Sequence, residues 1–307
     1  MTGIHVLAEE GAVSAAPTDG DYNQAVADAG EIAFVPLTAL RRLPLPVRDM
    51  VVGPIAERGH SALLFGAPGL GKTTAGATIA FAASAGRDWG PFTVSAPANV
   101  LYANFEDTRD ELVRRFSGIA TQFDGAEGAM DRLHLLNREG ALRILHKGGD
   151  GTALTRHGLQ LSAAIMASKP DLIVFDPLAL THDLDENLNA DMAAVIETIQ
   201  AIGREAKAAV IIVHHAKKAT ERSTGLDSVR GASSLAASVR SAWRLVVASG
   251  PDVRLECVKA NNFPKPEVPT YLRQTGVTIG NGDSVGILVP LNEAPVQPEV
   301  SKPRRRA

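Results

Sequence analysis

Residues 66–73 read Gly66-Ala67-Pro68-Gly69-Leu70-Gly71-Lys72-Thr73, the spacing G-x-x-x-x-G-K-[ST]. Glycines at these places let the backbone curl so that its N–H groups face inward, where they wrap phosphate oxygens. The N-terminus of a following helix adds partial positive charge. Lys72 is expected to reach the β and γ phosphates and the Thr73 hydroxyl to ligate Mg²⁺, with Thr74 completing the stretch that contacts ATP. A second acid, Asp176, closes the apolar run LIVFD at 172–176, and its expected role is to hold Mg²⁺ through water. Many ATPases place a water-activating glutamate directly after this aspartate. Here that place is Pro177, so the base must come from elsewhere, and Glu106 is the candidate for orienting the attacking water. Asp107 or Thr108 is better explained as a helix N-cap.

Further along, the run at 209–214 ends in His214-His215. A joint metal site for the pair is disfavoured, because adjacent strand residues point to opposite faces. The polar stretch 217–229 holds Lys217, Lys218 and Arg222. It suits either a nucleic-acid backbone or a solvated loop. Arg230 and Arg240 follow, each suited to reaching a neighbouring subunit's ATP as an arginine finger or to a structural ion pair.

These residues need a scaffold that brings distant segments to one edge. Short apolar runs at 61–66, 99–105, 132–137, 171–176 and 209–214 read as strands buried on both faces. Helical patterns at about 71–86, 108–122, 156–168 and 189–206 separate most of them, which implies βαβ units and a three-layer α/β domain. After residue 240 the pattern changes. Runs at 242–248, 253–260, 271–275 and 284–290 leave no room for helices between them, so they extend the sheet in antiparallel fashion. A helix is expected over 232–241, with Arg240 at its end. Segment 32–60 holds Pro36, Pro44, Pro46 and Pro54 and reads as a lead-in laid over the core.

Residues 1–31 carry six acidic side chains and no Lys or Arg, which predicts a disordered acidic leader. Residues 293–307 are Pro-rich and end in Arg304, Arg305 and Arg306, a flexible basic tail. The ATPase region is thus expected at 32–292. Of 307 residues, 45% are hydrophobic and 21% charged, enough for a sizeable core without staples. One cysteine, Cys257, excludes an internal disulfide and points to a reducing cytoplasm. No apolar run approaches a membrane span of roughly 18 residues, and no signal peptide is visible. With a net charge of −3, any nucleic-acid contact must use local patches.

The absence of N-K-x-D argues against a GTPase, and the missing Asp-Glu pair at the second acid argues against transporter-type and ring-unfoldase ATPases. Taken together, GHSALLFGAPGLGKTT (59–74), NVLYANFED (99–107), LIVFDP (172–177), VIIVHHAKK (210–218) and RGASSLAASVRSAW (230–243) resemble the RepA-type branch of RecA-like ATPases. The best-known members of that branch are hexameric plasmid replication helicases. The resemblance covers roughly 45–290. It implies an α/β RecA-like P-loop NTPase, with a mainly parallel central sheet flanked by helices and a C-terminal antiparallel extension. It also implies ATP and Mg²⁺ at Lys72 and Thr73, Glu106 as base, Asp176 at the metal, and His214 or His215 as a γ-phosphate sensor. The arginine finger falls best on Arg240. A homo-oligomeric, hexameric ring and single-stranded DNA are the implied partners. The acidic segment 181–192 departs from what a phosphate backbone would favour. Three functions follow as candidates: a ring helicase or translocase, a non-motor ATP-gated assembly or regulatory protein, and, with no Arg-rich lid visible, a small-molecule kinase.

Overall fold

The computed structural model describes residues 37–41, 44–136, 138–148, 151–215 and 232–295. The chain divides into two units, 1–48 and 49–307. In the first, the described residues form one helical turn, α1 (Leu37–Leu40), and residues 44–48 are exposed, with Leu45 and Val47 in solvent. The acidic leader expected at 1–31 and most of the basic tail lie outside the described residues.

The second unit opens with a hairpin, β1 (Met50–Val52) and β2 (Ala56–Glu57). The lead-in pattern did not predict it. Val51, Val52, Ile55 and Ala56 are buried, so this part of the lead-in is built into the core. Then follow β3 (Ser61–Gly66), α2 (Lys72–Ala85), β4 (Val100–Asn104), α3 (Arg109–Ala120), a short α4 (Ala129–Arg132) and β5 (Leu133–Leu135). A second unpredicted hairpin, β6 (Leu145–Gly148) and β7 (Gly151–Leu154), precedes α5 (Arg156–Ser168) and β8 (Leu172–Asp176). After a 3₁₀ turn at Leu178–Leu180 come α6 (Asn189–Glu205), β9 (Ala209–His215) and α7 (Ala232–Ser238). The chain then runs through β10 (Ser241–Ser249), β11 (Asp252–Ala260), β12 (Thr270–Thr278) and β13 (Ser284–Pro290).

Nine strands form one sheet in the order β13-β12-β11-β10-β3-β9-β8-β4-β5. Strands from β10 through β5 run parallel, and β10 to β13 are antiparallel. This is the architecture the strand–helix alternation predicts. The period of two along each strand divides the core into two layers. Leu64, Tyr102, Val174, Ile211 and Val213 pack with Ile79 and Phe81 of α2 and Leu112 and Phe116 of α3. Leu63, Phe65, Ala103, Phe175 and Ile212 pack on the other face with Ile165 of α5, Ile196 and Ile199 of α6 and Leu235 of α7. Helix α2 has no polar stripe because it is enclosed nearly all round, as its run of Ala, Ile and Phe requires.

Candidate active site

The phosphate loop sits between β3 and α2, and each glycine in it has a local reason. Gly69 and Gly71 both hold φ near +79°, where a side chain is strained. At Gly66 the β10 backbone passes so close that a Cβ would lie 2.5 Å from the Leu245 carbonyl oxygen. At Gly71 a Cβ would meet Leu288 Cδ1 at 3.3 Å and Gln274 Nε2 at 3.5 Å, so the β12–β13 hairpin lies against the loop. The Asp283 carboxylate in that hairpin's turn pairs with Arg114 of α3 at 3.1 Å. Gly71 is also the N-cap of α2 and supplies no side-chain hydrogen bond, so the first N–H groups of the helix are left for an anion.

Lys72 opens α2 and is only 2% exposed; its ammonium donates to the Ala67 carbonyl at 2.7 Å. Burial pulls its pKa down to about 8, while Asp176 and Glu106 pull it back up. Asp176, at the end of β8, is fully buried. Its Oδ1 accepts from the Thr73 hydroxyl at 3.3 Å and its Oδ2 from the Tyr102 hydroxyl at 2.5 Å. Burial raises its pKa to about 6, against the pull of Tyr102, Arg115 and Thr73. A hydroxyl and a carboxylate side by side are the hard oxygen donors that suit Mg²⁺. The curled loop, a buried ammonium and these two oxygens fit a nucleotide triphosphate with its cation.

Glu106 follows β4 on a bend. Asn104 ends the strand, and its Oδ1 accepts the backbone N–H groups of Glu106 at 3.0 Å and Asp107 at 2.7 Å. This turn aims the Glu106 side chain, which is 57% exposed, outward over the site. Thr108, not Asp107, is the N-cap of α3, accepting from Glu111 N at 3.3 Å. Asp107 pairs instead with Arg115 at 3.1 Å.

The two histidines separate cleanly. β9 runs one residue further than expected, through His215. His215 follows the parity of Val213 and Ile211, the α2 face, and its Nε2 stands 3.7 Å from Glu106 Oε2. Burial and the nearby Lys72 lower its pKa. His214 shares the face of Ile212 and Phe65, is 5% exposed, and is pushed down to about 4 by burial and then by His215, Lys72 and His182. His182 is likewise buried and lowered chiefly by burial.

Arg240 does not end a helix. Helix α7 stops at Ser238, and the Arg240 backbone amide donates to the Ser61 carbonyl at 3.0 Å, leading into β10. Ser241 pairs with Ala62 and Leu245 with Gly66, so Arg240 lies at the edge of the sheet away from its own phosphate loop. Lys217, Lys218, Arg222 and Arg230 lie outside the described residues. Sequence reasoning missed Tyr102 and Asn104. Asn104, two residues before Glu106, carried a readable turn signal. Tyr102 carried none, because its partner is on another strand.

Among the described residues no helix is long and apolar enough to cross a membrane. No curated protein matches the sequence. A solved structure described as an ATPase domain superposes with a TM-score of 0.52 at 15% identity, covering 82% of this chain and 92% of that one. That likeness shows a shared RecA-like P-loop fold. The family described as "AAA domain" matches residues 28–221, more than half of the sequence, and the chain belongs to that family.

Proposed function

We propose that the chain is an ATP-hydrolysing ring ATPase of the RepA type that couples hydrolysis to single-stranded DNA. One observation carries this reading. Lys72, Thr73, Asp176, Glu106 and His215 gather at the C-terminal ends of β3, β8, β4 and β9, while Arg240 stands at the opposite edge. One end of a subunit holds ATP, and its other end offers a cation that fits a neighbour's site.

The loop N–H groups and Lys72 hold the phosphates and offset their charge. Thr73 and Asp176 would hold Mg²⁺, which would neutralise phosphate charge when bound. Glu106, aimed by Asn104, orients the attacking water and draws its proton. His215 sits next to Glu106 and reports the γ-phosphate. Among the described residues the Arg240 guanidinium makes no ion pair, and Lys259 stands near enough for Arg240 to lower its pKa, after burial. The Lys259 ammonium is itself held by the Ala236 and Ala237 carbonyls at 2.9 and 2.7 Å, so the guanidinium of Arg240 is the group that suits a neighbour's phosphates.

ATP turnover with and without single-stranded DNA, read beside oligomer mass, tests the proposal. Salt-dependent stimulation by the strand in an assembled ring is the expected result. A second reading, an ATP-gated assembly protein without motor action, draws on the acidic stretch 181–192. In it Asp191 is already bound to Lys147 at 3.6 Å, and the stretch itself contains no Lys or Arg. ATP-dependent assembly with no response to DNA favours that reading.

A further inference from the structure

Tyr102 is fully buried in the middle of β4. Its ring meets Phe116 of α3 edge-on, with centroids 5.3 Å apart at 90°, which fixes where the hydroxyl can go. That hydroxyl donates its one proton to Asp176 Oδ2 at 2.5 Å and lies 3.4 Å from the Thr73 carbonyl oxygen. The other carboxylate oxygen, Oδ1, is the one beside the Thr73 hydroxyl. The two oxygens of Asp176 are therefore unlike. One is tied to a phenol held by packing, and one faces the residue expected to ligate the cation.

We propose that Tyr102 is a positioning residue that makes Asp176 meet the cation through Oδ1 alone, and that it thereby biases the site toward Mg²⁺ over larger divalent ions. This rests on the nucleotide-site reading above. The physical reason lies in the coordination habits of the ions. Mg²⁺ is small, octahedral and reluctant to lose water, and it tolerates a single carboxylate oxygen at the edge of its shell. Ca²⁺ is larger and readily takes both oxygens of a carboxylate. A phenol clamped on Oδ2 blocks the second mode. Without the clamp only the Thr73 hydroxyl still orients the carboxylate, and its buried Oδ2 loses its partner. Partners that orient a metal ligand commonly alter metal affinity by about 10–100-fold when removed.

The test uses the full chain and a fluorescent ATP analogue, titrated first in EDTA and then with Mg²⁺ or Ca²⁺. Four proteins are compared: wild type, Tyr102→Phe, Asp176→Asn and the double variant. In EDTA wild type and Tyr102→Phe should bind the analogue alike, and the two Asp176→Asn proteins are each read against their own metal-free value. Tyr102→Phe should raise the half-saturating Mg²⁺ concentration by about tenfold or more and change the Ca²⁺ value much less, so that discrimination shrinks. In the Asp176→Asn background, the added Tyr102→Phe change should shift nothing further, because the phenol acts through that carboxylate. A fifth protein, Tyr102→Met, removes the hydroxyl with a different shape and should move the Mg²⁺ and Ca²⁺ values as Tyr102→Phe does, which guards against a variant that merely misfolds. An unchanged Mg²⁺ midpoint in Tyr102→Phe, while Asp176→Asn shifts it, overturns the proposal and leaves the nucleotide site standing. A full additional shift in the Asp176→Asn background overturns it as well. Wild type that binds no analogue overturns the nucleotide reading and this inference with it.

Discussion

At one end of the parallel sheet, Lys72 and Asp176 are buried with their charges only partly answered, and both are drawn toward neutrality by desolvation. At the other end one cluster of charges is mutually compensated. Arg58 stands between Asp49 at 3.1 Å and Asp171 at 2.7 Å, and Asp171 also accepts the Asn99 amide at 2.6 Å. The first end holds groups whose charge becomes favourable once a polyanion and a cation arrive. The second holds the Arg58 cluster, whose groups satisfy one another, and Arg240, which makes no ion pair among the described residues. The difference separates buried groups left without full compensation from an edge built on mutually satisfied charges, at which the Arg240 side chain is exposed.

The largest break in this contrast should come from Lys72→Ala. It removes the only cationic side chain shown within the phosphate loop, and turnover should fall by at least about 10³-fold. Steady-state hydrolysis and analogue binding check it, and normal turnover would dismiss the phosphate-loop assignment. Because Lys72 is buried rather than loose at a loop end, a thermal melt should accompany the assay.

Arg240→Ala tests the other end. Nucleotide affinity and assembly should persist while turnover drops by about 10³-fold, the scale of a missing arginine finger. Rings mixed from Arg240→Ala and Glu106→Gln subunits should regain activity at interfaces where one subunit supplies Glu106 and its neighbour Arg240. No recovery in demonstrably mixed rings would return Arg240 to the structural edge and leave Arg230 as the remaining candidate. Glu106→Gln by itself should bind ATP and slow hydrolysis by about 10²-fold, as for loss of a general base. Wild-type turnover there would place the base elsewhere, with Asp107 or Glu186 next to test.

The smallest expected effect concerns stability without nucleotide. The folded-state pKa of Asp176, about 6, lies above its ordinary value of 3.8. Its contribution is therefore most favourable below that ordinary value and is lost as pH rises through 6. Asp176→Asn should raise the melting temperature at pH 8 by a few degrees and leave it nearly unchanged at pH 4. His214 works oppositely. Held near 4 against an ordinary 6.5, it supports folding above 6.5 and withdraws that support as pH falls toward 4. Melting curves of Asp176→Asn across pH 4–8 resolve the two, and an unchanged melting temperature at pH 8 would refute the burial argument.

Much of the scaffold was legible because its strands are buried on both faces and read as unbroken apolar runs: LLF, LIVF and VIIV survive any register. The two small hairpins were not. Segment 145–154, LHKGGDGTAL, is broken by its central Gly-Gly-Asp-Gly and shows no sustained alternation, so nothing marked its arms as strands. At the site, the residues with a local motif stood out, while those defined by a neighbour did not. Tyr102 matters because β4 lies beside β8 with Asn104 opposite Asp176, which is a fact of register and not of spacing. The choice between His214 and His215 also waited on knowing which face carries α2.

The contact of Leu288 and Gln274 with Gly71 has a consequence for how the protein is made. The loop, its helix and the strands that carry Asp176 and His215 all leave the ribosome before the hairpin that backs the loop. Until β13 has been synthesised, one side of the loop meets solvent, and the wide sequence separation makes that closure a late folding event. A chain stalled or cut before residue 284 would carry every motif of the nucleotide site and still lack the wall against which Gly71 rests.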